Sequence, residues 1–138
     1  MLTYKTLDSR TAQQLVAAGE KKAQEINSPS NLAVCDHAGY LITHLRMDGA
    51  QLPSINHSIQ KAWTSAQFGK ATDDLTADSE PGGELYGLNT TLDNQVIVFA
   101  GGIPLTLDGK VVGAVGASGG TADQDKAVAQ AMAEAFKG

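Results

Sequence analysis

Between Gly101 and Gly120 the chain reads GGIPLTLDGKVVGAVGASGG, and this stretch constrains the fold more than any other. Asp108-Gly109 lies between two apolar runs, the signature of a two-residue hairpin turn. Paired glycines at Gly101-Gly102 and Gly119-Gly120 allow backbone angles that other residues resist, at the start and end of the hairpin. The second strand, Val111 to Ser118, is built from valine, glycine and alanine and carries almost no bulk. Something must pack close against such a strand: a helix, a second subunit or a flat ligand.

The rest of the chain supplies the partners. Ala12, Leu15, Val16, Gly19, Ala23 and Ile26 form one apolar stripe, which predicts a helix from Asp8 to Asn27, ended by Pro29. Asn31–Asp36 and Tyr40–Met47 predict a second hairpin around Gly39. A helix over Ile55–Lys70 follows, with Ser54 as its candidate cap. Ile55, Ile59, Ala62, Ala66 and Gly69 give this helix a small apolar face suited to lying on a sheet. His57, Lys61, Thr64 and Phe68 share another face, which is either the solvated side or the lining of a cleft or subunit contact.

Residues 72–91 read as an irregular, glycine-rich connection of the kind that serves as a lid or binding loop. Asn94–Ala100 predicts a third strand, and a final helix carries Val128, Ala131, Met132, Ala135 and Phe136. The order predicts an α+β fold, one domain over residues 1–138, with helices on a five-stranded antiparallel sheet.

Composition narrows the function. A net charge of −5 with no basic stripe argues against nucleic acid and anionic membranes as partners. No apolar signal core or membrane-length run is present, so a soluble, cytoplasmic protein is expected. The single cysteine, Cys35, lies in an apolar strand pattern and reads as a buried small hydrophobe. With aromatic residues at only 5%, the core is thin, and such chains gain stability by oligomerising. His37, His44 and His57 have no close metal-site spacing between them. Gly119-Gly120 resembles an anion cradle, but Asp123 and Asp125 already answer the helix dipole there.

Several segments, taken together and in order, carry a resemblance that covers nearly the whole chain. They are Val34-Cys35-Asp36 with Gly39, Arg46-Met47-Asp48-Gly49-Ala50, and Lys61-Ala62 with Thr64 and Phe68. Gly101-Gly102-Ile103-Pro104, Asp108 to Gly113, and Gly116 to Gly120 followed by Asp123-Gln124-Asp125 complete the set. The sequence resembles the small haem-binding proteins named after GlcG and HbpS, whose domain also forms the C-terminal part of PduO-type cobalamin adenosyltransferases. The resemblance implies a profilin-like α+β fold and homo-oligomers built from dimers towards octamers. It also implies haem or a related tetrapyrrole as ligand, with an accessory role in a catabolic operon.

Of the histidines, His57 is the first candidate for a haem-iron ligand and His44 the second. Arg46, Asp48 and Lys61 are candidates to pair haem propionates or a small carboxylate by charge-assisted bonds. In the other reading, Arg46 holds the Asp48 turn. Thr64, Phe68, Gly101, Gly102 and Gly119 complete the candidate binding set. The alternative function is an enzyme or accessory factor acting on a small carboxylate or diol-pathway metabolite. A third reading is a structural subunit whose glycine surfaces only make an assembly.

Overall fold

A computed structural model describes residues 1–138. Helix α1 spans Ser9–Glu25 and is capped by Asp8, whose carboxylate accepts from the Thr11 N–H at 2.8 Å. Strands β1 (Asn31–Asp36) and β2 (Leu41–Arg46) form the first hairpin. Asp36 closes its turn by accepting from the N–H groups of Ala38 and Tyr40, both at 2.9 Å. Helix α2 (Ser54–Phe68) and the short α3 (Thr76–Ser79) follow. Strands β3 (Gly102–Leu107) and β4 (Lys110–Ser118) and helix α4 (Ala122–Glu134) complete the chain. Asp108 and Gly109 both take positive φ, 51° and 78°, as the hairpin turn requires.

The sheet is antiparallel with order β2-β1-β4-β3. It has four strands, not the expected five. Residues 94–100 have the composition of a strand but pair with none, and the chain reaches them through Leu92, Asp93 and Asn94, all at positive φ. Asn94 and Gln95 close turns back to Thr91 and Leu92, and the next backbone groups go to hydroxyls. Ile97 N–H donates to Thr64 Oγ1 at 3.1 Å, and Val98 C=O accepts from Thr76 Oγ1 at 2.6 Å. The segment therefore lies over α2 with Val96 and Ile97 buried, a strap rather than a strand.

Alternation along β1 and β4 sends their side chains to two helical layers. Leu32, Val34, Val115 and Ala117 pack with α1 and α4 residues Leu15, Val16, Val128 and Met132 in the main core. Each large side chain buried there stabilises the fold by roughly 1.5–3 kcal/mol. Ala33, Cys35 and Ala114 face α2 and pack with Ala62 and Ala66 in a smaller cluster. Cys35 is buried and its thiol is pushed up to about 12 by desolvation, so it is inert, as a packing role requires. No helix is long and apolar enough to cross a membrane.

Candidate functional site at the α2 face

What packs against the low-bulk strand is α2. A Cβ on Gly116 would collide with the Ser58 carbonyl and lie 2.8 Å from the Ala62 nitrogen. On the paired strand, a Cβ on Gly102 would sit 2.5 Å from the Lys61 carbonyl. The helix backbone thus rests on two facing glycines, an approach that no side chain permits. The face it presents is Ser54, Ser58, Lys61, Ala62 and Ser65, all buried. Ser54 is not the cap expected from sequence. It begins the helix and its hydroxyl accepts from Ser118 Oγ at 3.1 Å.

Lys61 is fully buried and its ammonium meets Asp125 Oδ2 of α4 at 3.0 Å and the Ala117 carbonyl at 2.9 Å. Because α2 and α4 pack on opposite faces, this side chain bridges the two helical layers past the end of β4. Gly101, at φ 128°, leaves the passage open, since a Cβ there would lie 2.7 Å from Nζ. Asp125 also accepts from the Gly120 N–H at 2.9 Å, so this carboxylate fills the space that the glycine pair leaves at the start of α4. Desolvation pulls the Lys61 ammonium below the usual lysine range, and Asp125 opposes that shift.

Phe99 covers this pair. The Lys61 ammonium lies 5.2 Å from its ring centroid, within cation–π range. His57 meets the same ring edge-on, with centroids 5.8 Å apart and planes at 89°. His57, Lys61 and Phe99 therefore form one cluster, with Gly101 behind it. The other sequence candidates are spread more widely. Thr64 is buried and engaged with the strap. Phe68 is half-buried near the C-terminal end of α2. Gly102 holds the helix backbone, and a Cβ on Gly119 would lie 2.9 Å from Cα of Ser30. Arg46 and Asp48 are exposed, and neither belongs to the two ion pairs, Lys61–Asp125 and Lys126–Asp73.

His44 is differently placed. Ser58 donates its hydroxyl proton to the Ile55 carbonyl at 2.8 Å, so Nε2 of His44, 3.1 Å away, is the donor in their contact. Burial holds His44 below the usual imidazole range. His57 makes no such hydrogen bond among the side-chain contacts. No group of three or more His, Cys, Asp or Glu side chains is placed to hold a bare metal ion.

The family described as "Haem degrading protein HbpS-like" matches residues 7–134. The chain belongs to the HbpS-like family.

Among HbpS-like relatives, an uncharacterised 15.0 kDa protein from the dhaT-dhaS intergenic region of Citrobacter freundii is 40% identical, over 95% of this chain and 92% of its own. Escherichia coli K12 GlcG is 33% identical over 86% of this chain and 85% of its own. The corrinoid adenosyltransferase PduO of Salmonella typhimurium is 37% identical over 85% of this chain, which spans only 35% of PduO. Among solved structures, Klebsiella pneumoniae ORFY superposes with a TM-score of 0.96 at 38% identity, covering 98% of this chain and 93% of that one. A PduOC:heme complex superposes at 0.91 with 34% identity and 95% coverage of both chains. The α+β architecture is that of the HbpS-like fold, with HbpS itself at a TM-score of 0.90, 25% identity, and coverage of 100% of this chain and 95% of HbpS.

Two features of the cluster were out of reach of sequence reasoning. Phe99 lay in a segment read as a strand. Asp125 is 64 positions from its partner Lys61. The packed face was signalled in part by Ile59, Ala62 and Ala66 of the small apolar stripe, which do meet the sheet, while buried Ser54, Ser58 and Ser65 extend it.

Proposed function

We propose that this protein binds a tetrapyrrole, haem foremost, beside His57 and Phe99, as an accessory binding protein of a catabolic pathway. The observation that carries the reading is the His57–Phe99 pair: a half-buried imidazole with no hydrogen-bond partner, set perpendicular to a half-exposed ring. The similarity to the PduOC:heme complex supports the ligand class. Haem would bring four nitrogen ligands to its own iron and a redox-active centre, so His57 would need to add only a further nitrogen ligand. A lone histidine therefore suits haem where it would not hold a bare ion.

His57 is the first candidate for that ligand. His44 ranks second because its Nε2 proton is committed to Ser58. The small-carboxylate alternative loses weight here, since Lys61, half of its anion clamp, is buried against Asp125. A homo-oligomer is part of the same proposal. Tyr40, Leu41 and Leu52 stand exposed, apolar surface that a second copy would cover.

Haemin titration of the purified protein tests the reading through the Soret band. Saturable binding is expected, weakened at least tenfold in His57→Ala. Saturable binding unchanged in that variant would remove His57 as the ligand, and non-saturable binding would remove haem.

A further inference from the structure

Phe99 has two unlike faces. One lies over the Lys61 ammonium, 5.2 Å from the ring centroid. The residue is nevertheless 46% exposed. On the loop side it forms a wall of a cleft of about 570 Å³, together with Val96, Ile97 and Val98. That volume lies within the range of small-molecule sites. Neither Lys61 nor His57 lines this cleft, so Phe99 is the one member of the cluster that borders it.

The backbone that carries the ring is also held in place. The backbone just before it is fixed by Thr64 at Ile97 and by Thr76 at Val98. Just after it, Ala100 is buried and the Gly101 carbonyl accepts from the Ala117 N–H at 2.8 Å. A half-exposed aromatic ring on a backbone fixed on both sides is unusual packing but a suitable recognition surface. A cation on its inner face draws π density inward, which favours an electron-rich planar system on the outer face.

We propose that Phe99 is a stacking platform that recognises the planar aromatic macrocycle itself, so that the site takes metal-free tetrapyrroles as well as haem. This deepens the tetrapyrrole reading and rests on it. His57 and Phe99 then divide the task. The imidazole reads the metal, and the phenyl ring reads the plane. The two rings stand at 89° to one another, so His57 would offer a nitrogen to the metal and Phe99 a face to the macrocycle from two different directions. Phe99 is a positioning residue in this scheme.

Parallel titrations with haemin and with metal-free protoporphyrin IX test the proposal. Absorbance and fluorescence quenching provide the readouts, and circular dichroism checks folding. The proteins are wild type, Phe99→Ala, Phe99→Trp and His57→Ala. Wild type is expected to bind both ligands. Phe99→Ala should weaken both by a similar factor, about tenfold. Phe99→Trp, which keeps a π face, should bind both within a few-fold of wild type. His57→Ala should weaken haemin and leave protoporphyrin IX unchanged.

Binding of haemin but not protoporphyrin IX by wild type would overturn the platform while leaving the haem reading intact. So would a Phe99→Ala protein that binds both ligands like wild type, or equal loss in Phe99→Ala and Phe99→Trp. Failure of wild type to bind either ligand would overturn both readings together.

Discussion

Towards α1 and α4, β1 and β4 present Leu32, Val34, Val115 and Ala117. Towards α2, the same two strands present Ala33, Cys35, Ala114 and Gly116. The first face joins a core of 14 buried residues, and the second a cluster of five supplemented by buried Ser54, Ser58, Lys61, Thr64 and Ser65. One face excludes water with bulk. The other brings backbones together and settles the polar groups of Ser54, Ser58, Lys61 and Thr64 by hydrogen bonds, leaving the Ser65 hydroxyl without a partner. The contrast puts packing by bulk on one side and close backbone approach on the other, where a cation, an imidazole and a half-exposed ring meet.

The largest expected effect tests whether the α2 face depends on its ion pair. Lys61→Met leaves Asp125 buried and unpaired, and should lower the unfolding free energy by about 3–5 kcal/mol in denaturant titrations. Adding Asp125→Asn, which keeps an acceptor for the Gly120 N–H but removes the charge, should restore much of that loss. If the double variant is as unstable as the sum of the singles, the two groups do not act as a pair.

On the apolar face, Met132→Ala empties a fully buried position and should cost about 2–5 kcal/mol with haemin affinity unchanged. Gly116→Ala tests the close approach. Its methyl would meet the Ser58 carbonyl, so α2 must shift, at a cost of about 1–3 kcal/mol in thermal or denaturant unfolding. Unlike Met132→Ala, it should also weaken haemin binding, because His57 and Lys61 ride on α2. An equal effect of the two variants on haemin affinity would erase the distinction between the faces.

The smallest effect is in pH. His44 is held below the usual imidazole range, so on acidification the unfolded chain takes up its proton first. Stability contributed by neutral His44 is present above the unfolded value near 6.5 and falls as pH drops towards the lower folded value. Denaturation midpoints at pH 5 and 7.5 should differ less in His44→Gln than in wild type. An unchanged slope would show that burial of His44 does not set it.

Much of this architecture was legible in the sequence. Asp108-Gly109 announced the β3–β4 hairpin, the small residues of β4 announced a close neighbour, and the α1 stripe from Ala12 to Ala23 is the buried one. The fifth strand failed for a local reason: Val96, Ile97 and Val98 have strand propensity, but hydroxyls of Thr64 and Thr76 claim the backbone groups that a ladder would use. The site was half legible. His57 and Lys61 were placed on one helix face, read as either the solvated side or the lining of a cleft or subunit contact. In the fold Lys61 turns inward because Asp125, Gly101 and the Ala117 carbonyl give its charge a place. Such long-range pairing leaves no periodic trace, and Phe99 joined the site only through the fold of the strap.

Hydrogen exchange of the backbone amides with and without haemin tests most directly whether recognition belongs to the α2 face. New protection is expected in residues 55–61 and 95–102, with α1 and the C-terminal half of α4 unchanged. Protection centred instead on the cleft of about 450 Å³ between Leu7, Leu107 and Phe136 would contradict the account, because that cleft lies beside the first residues of β4, away from the end where Lys61 and Gly101 meet.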